Sequence, residues 1–123
     1  MHFETTEEMT AFSDARHRIS AVMLERNQKG IELEKNKKID EAIRLYEQNV
    51  ADCCGGNHPY DRLVMIYKKR KQHNDAIRIC RSFISVAGSL IDAGSKRQDL
   101  APKKARFEMV LAQLEATTGD QAE

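Results

Sequence analysis

Apolar residues recur along the chain at steps of three and four, the spacing that places side chains on one face of a helix. Five stretches show this pattern, which predicts an all-α protein of about five helices. In chain order, the apolar residues that mark them are Phe12, Ala15, Ile19, Val22, Met23, Gly30 and Leu33; Ile39, Ala42, Ile43, Tyr46 and Val50; Tyr60, Leu63, Val64 and Tyr67; Ala76, Cys80, Phe83, Ile84, Ala87 and Ile91; and Phe107, Val110, Leu111 and Leu114.

Glycine and proline residues mark the predicted helix boundaries. Gly55 and Gly56 can end the second helix, because glycine accepts left-handed backbone angles without a Cβ penalty. Pro59 favours a new helix start, since proline is tolerated in the first turn. Gly94 is the predicted end of the fourth helix, and Pro102 follows near the start of the fifth.

Two segments of the chain resemble one another when the sequence is aligned with itself. Residues 35–46 and 69–80 share five identical residues in register, namely two lysines, an alanine, an isoleucine and an arginine. An acidic residue also stands at the same place in both, as Glu41 and Asp75. A period of about 34 residues indicates a repeated supersecondary unit that stacks on its neighbours.

This period and pattern resemble the tetratricopeptide repeat, a pair of antiparallel helices. Ala42 and Tyr46 match the family's small residue and following aromatic, and Gly30 matches the small residue on the first helix. Ala76 matches the crossing residue in the second copy. The resemblance implies antiparallel helix pairs stacked as a short right-handed array.

The second copy departs from the family at two positions. Val64 replaces the small residue, and Cys80 replaces the aromatic. Because a stable stack usually needs three or more repeats, flanking helices or a second copy of the chain must complete this one. The predicted division of a single domain over 1–123 is an N-terminal helical extension (6–22), repeat 1 (23–56), repeat 2 with a long second helix (57–93) and a C-terminal capping helix (99–118), with a frayed tail from residue 118 onward.

Charge and hydropathy narrow the range of partners. With 20 Lys and Arg against 19 Asp and Glu, the chain has no overall field that would draw it to nucleic acid or to a membrane. No segment has the roughly 20 apolar residues of a membrane span, and the first residues lack the pattern of a signal peptide. These features predict a cytoplasmic protein that does not bind membranes.

The cysteines do not form a recognisable site. Cys53 and Cys54 are adjacent, with His58 four residues later, but consecutive helical residues point about 100° apart and no second cysteine pair follows. A thiol at a helix C-terminus also has a raised pKa, which disfavours a nucleophile. With no phosphate-binding glycine loop or serine elbow, we predict neither metal, cofactor nor enzymatic activity.

Basic residues cluster at two predicted helix ends, and stacking should bring both clusters to one edge. The cations can offset helix dipoles there, or they can hold phosphates or an acidic segment. We call the following set the basic edge: Lys37, Lys38, Lys68, Arg70 and Lys71, with Lys35 and Lys69 beside it.

The family resemblance also implies a concave groove lined by the first helix of each repeat, which often receives a peptide or a helix. Polar residues there can alternatively do no more than solvate an unused surface. The residues carried over to this groove are Asn27, Ile31, Lys35, His58, Asp61, Arg62, Met65 and Lys69, of which Asn27, Arg62 and Lys69 resemble part of a clamp for a peptide's terminal carboxylate.

The sequence thus predicts an adaptor that binds another protein or peptide in the groove. The alternative is a nucleic-acid-associated accessory protein that uses the basic edge, and the near-neutral charge makes nucleic acid the less favoured partner. A homodimer is compatible with both hypotheses.

Overall fold

The computed structural model describes residues 20–121, with side chains up to Thr117. Within this range all regular structure is α-helical. The helices are α1 (Ala21–Lys35), α2 (Ile39–Ala51), α3 (His58–Lys69), α4 (His73–Asp92) and α5 (Leu100–Gln121). The predicted all-α class with about five helices is therefore confirmed for this part of the chain.

Each helix packs mainly against the helices that precede and follow it in the chain. Turns over residues 36–38 and 70–72 join α1 to α2 and α3 to α4, and such short connections make the joined helices antiparallel neighbours. The apolar faces of all five helices meet in one core. The result is a short array of helix pairs; the right-handed twist of that array stays a prediction.

The repeat in the sequence is also a repeat of backbone geometry. Lys37 and Lys71 occupy equivalent positions of the two copies, and both have left-handed backbone angles, with φ of 62° and 61°. In each turn the amide of this lysine bonds the carbonyl three residues earlier at 3.0 Å, and the next amide bonds the carbonyl five residues earlier at 2.8 Å. Both hydrogen bonds belong to the Schellman motif, so α1 and α3 end in the same way.

The predicted glycine signals fit one helix end and fail at another. Gly94 has a φ of 83° and ends α4, as expected. The prediction that Gly55 and Gly56 end α2 with left-handed angles is wrong, because the left-handed residue is Cys53, with a φ of 57°. The Schellman hydrogen bonds place that residue two positions after the helix, which is before the glycines.

Small residues are buried in both helix pairs. A Cβ atom built on Gly30 would lie 2.5 Å from Cε1 of Tyr46, so glycine is the residue that fits against this ring. Ala42 on α2 and Ala76 on α4 are fully buried. The small residues of the sequence pattern therefore lie in the core of both helix pairs.

Helix α5 packs on α4, as a capping helix must. The Phe83 ring lies 4.4 Å from the Phe107 ring and 5.1 Å from the Tyr60 ring, measured between centroids. The prediction that Ile91 belongs to this buried surface is wrong, since its side chain is 40% exposed. Leu90, one residue earlier, packs on the core in the last turn of α4 instead.

Helix α1 begins later than the predicted extension implies. Ser20 has an extended backbone, and its hydroxyl accepts a hydrogen bond from the amide of Met23 at 3.2 Å. This N-cap starts the helix at Ala21, so a helix over 6–22 does not run unbroken into α1. The remainder of that predicted extension lies outside the described residues.

Helix α5 is longer than the predicted capping helix over 99–118. It continues to Gln121, so residues 118–121 of the predicted frayed tail are helical. Among the described residues, no helix combines the length and the hydropathy that crossing a membrane would require.

Candidate functional site

A groove lies between α3 and the end of α1. Arg62, Met65 and Lys69, all predicted for the peptide groove, line it together, and Arg70 from the predicted basic edge joins them. The other lining residues are Glu34, Ile39 and Ile66. The groove thus has aliphatic and thioether side chains with cations beside them.

A second groove lies between α3 and α5. Met65, whose side chain is 56% exposed, also lines this groove and therefore stands between the two. Lys68, which was predicted for the basic edge, lines this groove as well. The full lining is Asp61, Val64, Met65, Lys68, Arg106, Phe107 and Val110.

Arg62 is held by a structural contact between three helices. Its Nε donates to a carboxylate oxygen of Glu34 at 3.1 Å, and the Tyr46 hydroxyl donates to the same oxygen at 2.7 Å. Burial raises the pKa of Glu34, but the hydrogen bonds from Arg62 and Tyr46 outweigh burial and hold that pKa below its usual range. Because Arg62 is already paired, it is poorly placed to clamp a peptide carboxylate.

Asn27 likewise has a structural partner. Asn49, fully buried on α2, donates to Oδ1 of Asn27 at 2.9 Å and to the carbonyl of Met23 at 3.0 Å. Arg26 donates to the Asn49 amide oxygen at 3.1 Å. Of the three residues that resemble a carboxylate clamp, only Lys69 has no ion pair or side-chain hydrogen bond within the described chain.

Asp61 joins α3 to α5. Two guanidinium nitrogens of Arg106 donate to its carboxylate at 2.8 and 3.2 Å. Arg62 makes the corresponding bridge from α3 back to Glu34 on α1. Paired arginines therefore connect α5 to α3 and α3 to α1. The Asp61 carboxylate is already paired in this way.

His58, the first residue of α3, behaves as a packed side chain. Its ring meets the Tyr46 ring edge-on, with centroids 5.6 Å apart. Its Nε2 is buried and has no hydrogen-bond partner among the described residues. Burial, aided by the charge of Arg62, lowers the pKa of His58, which favours the neutral ring. Ile31 and Lys35, the remaining groove predictions, are exposed on α1.

An ion pair links the second basic turn to the start of α2. Arg70 in the second turn pairs with Asp40 at the start of α2, with 2.8 Å between nitrogen and oxygen. Lys37, Lys38 and Lys71 are exposed. Since Arg70 is neutralised by Asp40, the edge is less positive than its sequence indicates.

None of the three thiols lines either of these two grooves. Cys54 and Cys80 are fully buried, and burial raises their pKa values, that of Cys80 to about 11. Cys53 is half-buried beside Arg78 and Arg81 in a third groove, between α2 and α4. Within the described chain no three potential metal-ligating residues cluster.

Large apolar side chains are exposed on each of the odd-numbered helices. Ile31 and Met65 are equivalent residues of the two repeats, and Met109 is the exposed large apolar residue of α5. Their exposed fractions are 38%, 56% and 65%. We call Ile31, Met65 and Met109 the apolar row. Sequence reasoning missed Met109, because this residue lies outside the apolar period that marks α5.

No protein-family model, curated protein or solved structure matches this chain. The tetratricopeptide relationship therefore stays a resemblance in the sequence.

Proposed function

We propose that this protein is an interaction module that binds a segment of another protein across α1, α3 and α5, and that it does no chemistry itself. The apolar row is the observation that carries the proposal. Scattered exposed apolar residues are ordinary, but Ile31 and Met65 are exposed at the same position of the two repeats, and α5 adds the exposed Met109. Exposure at the same position of both repeats favours a contact surface that includes these residues.

The chemistry of the row suits a peptide or a helix. Met65 stands between two grooves, so a bound segment can place side chains on both sides of it. Methionine has a flexible, polarisable side chain that adapts to irregular apolar partners. An adaptor role, a cytoplasmic location and a homodimer remain predictions.

The rival function, nucleic-acid binding at the basic edge, has weaker support. Lys37 and Lys71 occupy the left-handed positions of their turns, and Arg70 is paired with Asp40. The large exposed apolar side chains of the described residues are aliphatic or methionine, whereas single-stranded nucleic acid is usually held by exposed aromatics.

Partner capture by substituted full-length chains tests the proposal. Met65→Glu with Met109→Glu should abolish capture from extracts of the source cells, because two carboxylates would enter an apolar contact. Both side chains are exposed, so the fold should survive. Substituting Arg62 would be a poor test, since Arg62→Glu would set two carboxylates side by side and damage the α1–α3 contact.

Two variants serve as controls. Leu24→Glu with Ile91→Glu places the same charges at exposed apolar positions outside the row and should leave capture intact. Lys38→Glu with Lys71→Glu reverses the basic edge and should have a modest, salt-sensitive effect. Loss of capture in the edge variant alone, or equal loss in the Leu24 and Ile91 variant, would show that the row is not the binding surface.

A further inference from the structure

Two neighbouring lysines on α3 flank the central residue of the apolar row. Lys69 lines the α1–α3 groove, and Lys68 lines the α3–α5 groove. Neither side chain forms an ion pair within the described residues. The arginines in these grooves differ, because Arg62, Arg70 and Arg106 pair with Glu34, Asp40 and Asp61. Each groove thus contains one cation whose charge no neighbouring carboxylate offsets.

This unbalanced charge restricts what can cover the grooves. A basic segment would meet like charges in both of them, and an uncharged segment would bury Lys68 and Lys69 without partners. A segment with carboxylates could pair with both lysines while its apolar side chains cover Met65. The acids already in the grooves, Glu34 and Asp61, are occupied by Arg62 and Arg106, so they repel such a segment less.

We propose that the bound partner is an acidic amphipathic protein segment, with apolar side chains on either side of Met65 and aspartate or glutamate side chains paired with Lys68 and Lys69. This inference rests on the proposed function, because it assigns the chemistry of the partner to the same surface. The segment lies across α3 between the two grooves, and its charge sets the selectivity of the module.

A displayed library of random peptides of about 12 residues, selected against the full chain, tests this proposal. Sequences selected by the parent should combine apolar residues with flanking aspartate or glutamate. Lys68→Glu with Lys69→Glu should reverse the preference to lysine and arginine beside the same apolar residues. An acidic peptide from the first selection should bind the reversed variant about tenfold or more weakly.

A matched control separates local pairing from net charge. Lys29→Glu with Lys96→Glu changes the net charge equally at exposed positions that line neither groove, and it should keep the parent's acidic preference. Thermal unfolding of each variant should stay near that of the parent, since both pairs of lysines are exposed.

The outcomes distinguish failure of this inference from failure of the proposed function. Selection of apolar peptides without acidic residues, or an unchanged preference after charge reversal, would overturn the acidic partner and leave peptide binding standing. If the parent selects only peptides that the Met65→Glu with Met109→Glu variant also selects, both the acidic partner and the proposed function are wrong. If the parent retains an oligonucleotide of about 20 nucleotides at physiological salt and the reversed variant releases it, Lys68 and Lys69 serve nucleic acid and the proposal is wrong.

Discussion

The first helix pair, α1 and α2, and the second, α3 and α4, have the same turn but different interiors. Asn49 in the first pair and Phe83 in the second are equivalent residues of the repeat, and both are fully buried. Asn49 holds a hydrogen-bond network to α1, whereas Phe83 packs between two aromatic rings. The backbone of the unit is therefore repeated while its core is built by two different kinds of interaction.

The two pairs also differ in the sizes of two equivalent core residues, one on each helix of the pair. The first combines Gly30 with Tyr46, and the equivalent residues of the second are Val64 and Cys80. All four are buried. In the second pair the residue on the first helix is larger and the residue on the second helix is smaller, and we expect these two changes to compensate one another. Cores tolerate such exchanges when total volume is kept.

The position of each pair in the array accounts for part of the difference. The second pair lies between α2 on one side and α5 on the other, so an aromatic cluster there is covered on both sides. The described part of the first pair packs on α3 and has exposed Val22 and Leu24 on α1. A polar network suits that less enclosed position, since Arg26 reaches both Asn49 and the exposed Asp52.

The aromatic core should be the most sensitive part of the molecule. Phe83→Ala removes a fully buried ring from between Tyr60 and Phe107, and we expect a loss of about 3–5 kcal/mol in unfolding free energy. Chemical denaturation monitored by circular dichroism measures this. Ser85→Ala, at an exposed site on the same helix, should change stability by about 0.5 kcal/mol or less. Equal effects would refute the aromatic core.

This expected compensation can be tested by introducing the valine and the cysteine of the second pair at Gly30 and Tyr46 of the first pair. Gly30→Val should cost about 1–3 kcal/mol, because the added carbons meet the Tyr46 ring. Adding Tyr46→Cys should make the double variant at least about 1 kcal/mol more stable than the two single effects predict. Strict additivity in this double-mutant cycle would show that the substitutions do not compensate.

A second glycine supplies the control for this cycle. Gly88 lies inside α4, where a Cβ would meet only the Lys104 side chain, at 3.6 Å. Gly88→Ala should therefore stabilise the protein by about 0.5–1 kcal/mol, since alanine loses less backbone entropy in a helix. A large destabilisation at Gly88 would mean that glycine is required for reasons other than the Tyr46 ring.

The polar interior of the first pair predicts a smaller effect than the loss of Phe83. Asn49→Ala leaves the Met23 carbonyl and the Asn27 side chain without their buried partner, and we expect a loss of about 1–3 kcal/mol. Gln48→Ala, at the exposed neighbouring position, is the control and should be nearly neutral. An Asn49→Ala chain as stable as the parent would show that the network contributes nothing.

The shared turn predicts the smallest effect, and the same effect in both pairs. Lys37→Gly and Lys71→Gly should each stabilise the protein by about 0.5–1 kcal/mol, because glycine adopts left-handed angles without the penalty that lysine bears. Gly94→Ala should act in the opposite direction. A gain at one lysine and a loss at the other would contradict the equivalence of the two turns.

The sequence predicts the backbone of this array better than its surface. The apolar period of three and four residues places the five helices. The repeat of residues 35–46 at 69–80 predicts that the helices before Lys37 and Lys71 end in the same way. These signals are local, since they depend on residues close in the chain. Two helix ends were not predicted. The N-cap at Ser20 and the left-handed backbone angle at Cys53 depend on hydrogen bonds that composition alone does not indicate.

The candidate site depends on contacts between distant residues, and there the sequence is less informative. It places Arg62, Met65 and Lys69 on one helix, and they do line one groove. The sequence does not indicate that the Arg62 guanidinium is paired with the Glu34 carboxylate, because the two residues are 28 positions apart. A polar residue is available for binding only when no side chain from another helix satisfies it, and this property follows from packing.

Site-specific photo-crosslinking in the source cells tests the central claim, that the binding surface is the apolar row. A photoreactive residue at Met65 or Met109 should form an adduct with the same protein. The same probe should form none at Ser85 in the α2–α4 groove or at Lys38 on the basic edge. Adducts from Ser85 or Lys38 without any from Met65, or adducts with nucleic acid, would contradict the account.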